Sequence, residues 1–298
     1  MLNKITEYIK HPQFFLIWLD ARRIITLKDD LYLKILYKKI IGKKLNLEEP
    51  QTFNEKLQWL KLNDKKDIYT KMVDKYEAKE YVANIIGKKY IIPTLAVYNK
   101  FEEINFDELP NQFVIKCTHD SGGVVICKDK KKFDINSAKQ KINRCLKKNY
   151  FYDGREWPYR NIKPRIIIEE YMSDSEHEYL IDYKIMCFNG KTRCSFTCSN
   201  RRSKEGLNVD FYDIEWNKMP FERHYKNSNV TIEKPKNYDL MIELAEKLSE
   251  GTKFLRVDFY EIEGNLYFGE LTFYPGGGME EFTPEEWDER LGSWIDLN

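Results

Sequence analysis

The stretch that most limits what this chain can become runs from Arg256 to Gly278, RVDFYEIEGNLYFGELTFYPGGG. Two apolar-rich segments flank the turn signal Glu263-Gly264-Asn265, the pattern of a β-hairpin. Strand side chains alternate faces with period two. Arg256, Asp258 and Tyr260 therefore share one face, and Leu255, Val257 and Phe259 the other. On the second strand Glu270 and Thr272 share a face, with Leu271 and Phe273 opposite. A loop centred on Gly264 sets Asp258 directly across from Glu270, and Arg256 across from Thr272. A shifted loop would pair Asp258 with Leu271 and mix the two faces, so the first register is expected.

Like charges opposed in a sheet are unfavourable. Two carboxylates about 5 Å apart need a counter-charge, or one must hold a proton. A hard divalent cation is an economical answer, because Mg2+ is held by one or two carboxylates plus substrate phosphates. Arg256 beside them suits a phosphate oxygen. The plain alternative is a surface hairpin whose charged face is solvated. The run Pro275-Gly276-Gly277-Gly278 argues against that, since three glycines let a backbone approach a ligand closely.

The rest of the chain narrows the class. Its 298 residues suffice for two domains or one large one, and 49 basic against 48 acidic residues give no global attraction to nucleic acid. The early apolar run Phe14–Leu19 is too short to span a bilayer, and it lacks the length and cleavage site of a signal peptide. It reads as an amphipathic helix on a core, with peripheral membrane contact as the alternative. The six cysteines (Cys117, Cys127, Cys145, Cys187, Cys194 and Cys198) include no C-x-x-C pair and read as buried free thiols. With no leader evident, they favour the cytoplasm.

Residues 1 to about 90 look helical, including a helix from Lys75 to Ile86 capped by Asp74 and closed by Gly87. Tyr90–Pro93 reads as a short strand, residues 112–118 and 123–128 as two strands, and residues 136–148 as a helix. Strand Arg165–Met172, a hairpin around Asn189-Gly190, and a helix from Asn237 to Ser249 with Leu240, Leu244 and Leu248 on one stripe follow. Thr283-Pro284-Glu285-Glu286 reads as a capping box. Hairpins mixed with helices indicate an α+β fold, with boundaries near residues 100 and 180.

Three further stretches suit phosphate and nucleotide. Lys116 lies mid-strand before Asp120-Ser121-Gly122-Gly123, a small loop that can fold over phosphates. Lys184 shares a strand face with Asp182, either as an internal ion pair or as a second phosphate-facing lysine. Glu169, Glu170, Tyr171 and Met172 leave a buried strand for a linker and offer carboxylates for ribose and apolar contacts for a purine. Each has an ordinary structural alternative: a surface hairpin, an ion pair and a solvated strand end. A P-loop, a G-x-G-x-x-G and a kinase catalytic-loop set are missing.

The order of these parts resembles the ATP-grasp superfamily over roughly residues 75 to 280. The strongest element is Arg256-Val257-Asp258-Phe259, followed by Glu270 and Pro275-Gly276, which is similar to the R-x-D…E-x-N-x-x-P-G pattern of amino-acid ligases in that superfamily. The segments TFNEKLQWLK, DKYEAKEYV, FVIKCTHDSGG and DYKIMCFNGK resemble the TupA-like branch, associated with teichuronopeptide and capsular polysaccharide synthesis. The resemblance implies a helical N-terminal part (1–100), a lid with the Gly-rich hairpin (101–172) and a metal-bearing part (173–298). It implies that Lys116 and Lys184 hold ATP phosphates and that Ser121, Gly122 and Gly123 form a flap. Glu169, Glu170, Tyr171 and Met172 would line the adenosine site, with Glu178 a further ribose residue. Asp258 and Glu270 would bind magnesium, with Glu270 bridging two ions, and Arg256 would stabilise the transferred phosphoryl group. Thr272 stands where the pattern has asparagine, a weaker neutral ligand for the second metal.

The expected activity is a carboxylate–amine ligase working through an acyl phosphate, with a uronic acid or amino acid as acceptor. Arg193, Arg201 and Arg202 would suit an anionic saccharide, or form a solvated basic stretch. A nucleotide-sugar glycosyltransferase is the rival; its nearest metal motif, Asp174-Ser175-Glu176, lacks the second aspartate. A kinase using the same ATP site, and a saccharide-binding protein without catalysis, are the others.

Overall fold

The computed structural model describes residues 11–174, 180–199 and 206–298. Among the described residues the N-terminal part is helical: α1 (Gln13–Ala21), α2 (Asp29–Ile41), α3 (Phe53–Asn63), α4 (Asp67–Val73) and α5 (Glu77–Ile86). Phe14 and Ile17 of α1 are buried with Tyr32 and Leu33 of α2. The apolar run thus lies on a helix whose Phe14 and Ile17 side meets a core while Phe15 faces outward. Helix α3 starts at a capping box: Thr52 Oγ1 accepts the Glu55 N–H at 3.2 Å, and Glu55 Oε2 accepts the Thr52 N–H at 3.2 Å. Asp74 Oδ1 accepts the N–H groups of Tyr76 and Glu77 at 2.8 and 2.9 Å, so α5 begins two residues later than expected. Gly87, at φ 109°, ends it.

A four-stranded antiparallel sheet follows, in the order β1 (Thr94–Tyr98), β4 (Ile166–Glu170), β2 (Phe113–Cys117), β3 (Val124–Cys127). One face packs Phe113, Ile115, Ile166 and Ile168 against α6 (Ile135–Leu146), whose Asp134 cap accepts the Ser137 N–H at 3.0 Å. The expected strand at Tyr90–Pro93 is a correction. Lys88–Tyr90 form a tight helical turn, Ile91 makes a lone bridge to Phe268, and the strand begins at Thr94. A division at residue 101 would therefore cut β1 from its sheet.

After a one-turn helix, α7 (Phe151–Gly154), the chain builds a five-stranded antiparallel sheet. Its order is β10 (Asn265–Thr272), β9 (Phe254–Ile262), β5 (Asp182–Phe188), β6 (Lys191–Ser199), β7 (Asn208–Tyr212). Leu255, Val257 and Phe259 face a core that includes α3 and α8 (Tyr238–Ser249). The buried face of α8 is Tyr238, Met241, Leu244 and Leu248, and Leu240 is only half-buried. A short ladder joins β8 (Glu222–Arg223) to β11 (Phe282–Thr283) before α9 (Glu286–Ser293). Thr283 pairs with Glu222 in that ladder, so it does not cap α9 as expected. The six thiols form no disulfide, and burial pushes Cys117 up to about 12 and Cys187 to about 11.

Candidate active site

The C-terminal hairpin turns through Glu263 and Gly264, both at positive φ (50° and 77°), as a two-residue turn requires. That turn sets Phe268 opposite Phe259, one residue away from the expected register. A bulge at Gly269–Glu270 then restores it, so Leu271 faces Val257 and Thr272 faces Arg256 as expected. Gly269 and Glu270 together oppose Asp258. A Cβ on Gly269 would lie 3.1 Å from the Tyr260 ring and 3.2 Å from Asp258 O, which leaves little room for a side chain at the bulge.

The two carboxylates share a counter-charge. Arg256 Nε and Nη2 donate to Asp258 Oδ1 and Oδ2 at 2.7 and 2.8 Å, and Nη2 also donates to Glu270 Oε1 at 2.6 Å. Lys184, on β5 directly opposite Asp258 of β9, donates to Asp258 Oδ2 and lies 3.8 Å from Asp182. The ion-pair reading of Lys184 is the one the geometry bears out, with Asp258 as the nearer carboxylate. Burial pushes Asp258 up despite Arg256 and Lys184. Burial acts the same way on Glu270, but Arg256, Lys184 and Lys75 outweigh it and hold Glu270 at about 2. Thr272 Oγ1 donates to Glu270 Oε1 at 3.4 Å.

The same residues suit magnesium in their donor chemistry. Among the described residues no cluster of three or more acidic, histidine or cysteine side chains could enclose an ion. Two carboxylates on one face match a Mg2+ that takes its remaining oxygens from phosphate and water. Glu270 remains about two-fifths exposed, open to such a ligand.

The four-stranded sheet, the expected lid, carries a second charged cluster. Glu169 is buried and ion-paired with both Lys116 and Lys79. Burial raises its pKa, and the two lysines bring it below the ordinary value. Lys79, on α5, also donates to Ile92 O at 2.7 Å and Thr94 Oγ1 at 3.0 Å. Glu170, the next residue along the strand, is exposed and lies on the opposite face from Glu169. Tyr171 and Met172 are half-buried at the strand end.

The Gly-rich loop differs from a uniformly open flap. Ser121 and Gly122 are exposed, but Gly123 is buried, and its N–H donates to Asp120 Oδ1 at 2.9 Å. A Cβ there would lie 2.8 Å from Cys117 Sγ. Lys75, just before α5, donates to Asp120 O and contributes to the field at Glu270, tying this loop to the hairpin cluster.

Gly276, Gly277 and Gly278 all have φ near +60° (61°, 64° and 64°). Their close approach is to protein. A Cβ on Gly278 would lie 2.5 Å from Gln58 Nε2, and one on Gly276 would overlap the Glu280 side chain. Gln58 Nε2 donates to Gly278 O at 2.7 Å and Lys61 Nζ to Gly277 O at 2.7 Å. Lys61 is buried near Glu156. Burial lowers Lys61 to about 8 and raises Glu156 to about 7, each resisting the other's shift.

Sequence reasoning missed Lys75, Lys79, Gln58, Lys61, Glu156 and Arg223. The available signal was Lys61 following Leu60 on the Phe53–Leu57–Leu60 stripe, a charge on a buried helix face. Arg193 is exposed and adds to the field at Glu246, as a solvated basic stretch would. Glu178, Arg201 and Arg202, with part of Asp174-Ser175-Glu176, lie outside the described residues.

An antiparallel sheet bearing Arg-x-Asp and Glu on one face, beside a smaller sheet with a lysine before a Gly-rich loop, is the architecture of the ATP-grasp class. The chain belongs to the TupA-like ATP-grasp family, which it matches over residues 55–296. No curated protein matches it. Among solved structures it is similar to D-alanine–D-alanine ligase from Bacillus anthracis complexed with ATP, at 17% identity and TM-score 0.38, covering 68% of this chain and 53% of that one. D-alanine–D-alanine ligase from Helicobacter pylori matches at 14% identity and TM-score 0.40, covering 76% and 61%. A biotin carboxylase complex from Campylobacter jejuni matches at 14% and 0.43, covering 76% and 47%. The chain thus spans between about half and three-fifths of the length of these structures. No helix among the described residues is long and apolar enough to cross a membrane.

Proposed function

We propose that this protein is an ATP- and magnesium-dependent carboxylate–amine ligase that modifies a cell-surface or capsular polysaccharide component. The observation that carries the reading is the Arg256–Asp258–Glu270 cluster with Lys184 on one sheet face. Lys116 and Lys184 would bind the ATP phosphates, with Ser121 and Gly122 as the open part of the flap. Glu169, Glu170, Tyr171, Met172 and Glu178 would serve the adenosine end. Asp258 and Glu270 would hold one or two Mg2+ ions, with Thr272 as a weak further ligand. Bound Mg2+ would neutralise phosphate charge during transfer. The sheet spanning Thr94–Glu170 would act as the lid.

In the first step a P–O bond to ADP breaks and a P–O bond to the substrate carboxylate forms. Arg256 and Lys184 would stabilise the spread negative charge of that transfer. In the second step the amine nitrogen forms a C–N bond to the acyl carbon. The C–O bond to phosphate breaks, and phosphate leaves with the electron pair. Of the two protons the ammonium gives up, one goes to phosphate and one to solvent. A closed lid would keep water from the acyl phosphate. The polysaccharide setting rests on the TupA-like family, and a cytoplasmic site of action on the free thiols.

The test is calorimetric binding of ADP to the wild type and to Glu270→Gln, with and without Mg2+. Mg2+-dependent binding that weakens at least tenfold in the variant is expected. Failure of the wild type to bind ADP at millimolar concentration overturns the reading.

A further inference from the structure

Residues 128–148 carry nine basic and two acidic side chains, in a chain that has 49 and 48. Three of the nine are used within the protein. Lys130 Nζ donates to Leu109 O at 2.8 Å, Lys141 Nζ donates to Val124 O at 2.7 Å, and Lys139 pairs with Glu102 at 2.9 Å. The other six, Lys128, Lys131, Lys132, Arg144, Lys147 and Lys148, are exposed. Among the described residues none of them pairs with a carboxylate. The two acids are occupied with backbone: Asp129 Oδ1 accepts the Lys131 N–H, and Asp134 Oδ1 the Ser137 N–H, each at 3.0 Å.

The helix dipole accounts for only part of this charge. Arg144, Lys147 and Lys148 lie at the C-terminal end of α6, where cations are favoured. Lys131 and Lys132 stand within three residues of its N-cap, Asp134, where a positive charge is unfavourable. Between the two groups lies an open groove of about 750 Å³, lined by β3, the turn after it and the first half of α6. Lys128, Lys132 and Lys141 bring charge to it, Ser137 a hydroxyl, and Ile126 and Phe133 apolar surface. Ser137, Lys141, Arg144 and Lys148 follow one another along one side of α6, which carries the basic track past the groove for roughly 16 Å. The groove shares no residue with the carboxylate cluster, and its first residue, Val124, adjoins Gly123 of the Gly-rich loop.

Shape and chemistry narrow the partner. A concave track suits a linear chain better than the plane of a bilayer. Ammonium groups on flexible stems act as separate point charges and suit carboxylates spaced along a polymer. Phe133, half-buried, is the aromatic ring in the groove, so successive nucleic-acid bases have no stacking platform there. The apolar patches of Ile126 and Phe133 suit the C–H faces of sugar rings. We propose that the groove between β3 and α6, with the track along α6, binds an acidic glycan whose sugars carry carboxylates. The site is separate from the one where the chemistry would occur. Its use as a tether, holding a polymer beside the Gly-rich loop, rests on the ligase reading.

The experiment is calorimetry on the full chain with oligogalacturonate, the neutral maltose oligomer of equal length, polyglutamate, single-stranded DNA and phosphatidylglycerol vesicles. Oligogalacturonate should bind at least tenfold more tightly than each of the others. A fivefold rise in salt should weaken it at least tenfold. Lys132→Glu with Arg144→Glu should also weaken it at least tenfold, while Lys65→Glu with Lys71→Glu, an equal change of net charge on exposed α4 and the turn before it, should weaken it less than threefold. Mg–ADP binding checks that each variant is folded; if the groove variant is not, the acidic-to-neutral comparison on the wild type decides alone. No binding of oligogalacturonate, or an equal loss in both variants, overturns the proposal. Tighter binding of polyglutamate, DNA or vesicles overturns its assignment to a glycan. A wild type that binds oligogalacturonate but not Mg–ADP keeps the groove and overturns the ATP-site reading instead.

Discussion

The hairpin cluster and the lid cluster solve one problem in two ways. Each buries a carboxylate, Asp258 or Glu169, and each surrounds it with two cations. In the hairpin one cation is a guanidinium that grips Asp258 with two nitrogens and reaches Glu270 as well. In the lid both cations are lysines, and Lys116 remains about a quarter exposed. A planar fork fixes geometry, whereas an ammonium on a flexible stem can leave for a ligand. The hairpin cluster is therefore the more rigidly held of the two, and the Lys116 ammonium in the smaller sheet is the freer cation.

Removing one cation from each side tests that contrast. Arg256→Met leaves Glu270 without its guanidinium and Asp258 with Lys184 alone, and breaking a buried pair in this way costs about 3–5 kcal/mol. Lys116→Met leaves Glu169 with Lys79, and its partial exposure limits the loss to about 1 kcal/mol. Urea unfolding of the two variants measures both. Equal losses would mean that the lid is as rigidly built as the hairpin.

The two glycine-rich loops contrast in the same sense. Gly278 sits at φ 64°, and a methyl group added there would lie 2.5 Å from Gln58 Nε2 and 2.8 Å from Leu57 Cβ. Gly278→Ala combines backbone strain with overpacking, and should cost about 2–3 kcal/mol. A methyl group on Gly122 would meet nothing within 4 Å, and the φ there is ordinary, so Gly122→Ala should stay within about 0.5 kcal/mol. Thermal or urea unfolding separates them. A neutral Gly278→Ala would remove the argument that this loop is locked to α3.

What could be read in advance follows the same division. The hairpin keeps its charges within a contiguous stretch, so alternation alone placed Arg256, Asp258 and Glu270 together. Only the bulge at Gly269 was hidden, because a two-residue turn and a later bulge offset one another by the time the strand reaches Thr272. The lid is assembled from distant pieces. Lys79 comes from a helix, Glu169 from β4 and Lys116 from β2, and no local pattern records that they meet. Strand β1 was missed because an edge strand half open to solvent carries little apolar alternation, while Tyr90-Ile91-Ile92 imitates a strand. Arg223 was invisible because its two-residue strand is defined only by pairing with β11.

Glu156 sharpens the comparison from a third position, as a buried carboxylate beside only one buried lysine. Glu169, with two lysines, is held below the ordinary value, and Glu156 is raised from 4.5 to about 7. Between those pH values the folded protein holds the Glu156 proton more tightly than the unfolded chain does. Stability should therefore fall as pH rises through that window, by up to roughly 1.4 kcal/mol per pH unit. Lys61, lowered from 10.5 to about 8, acts only above the window, where the unfolded chain binds the extra proton and stability rises with pH. Urea unfolding at pH 5, 6 and 7 should show this fall in the wild type and lose it in Glu156→Gln, while Glu169→Gln leaves it in place. A slope that survives in Glu156→Gln would assign it to another group, and a second cation would no longer be what separates the two carboxylates.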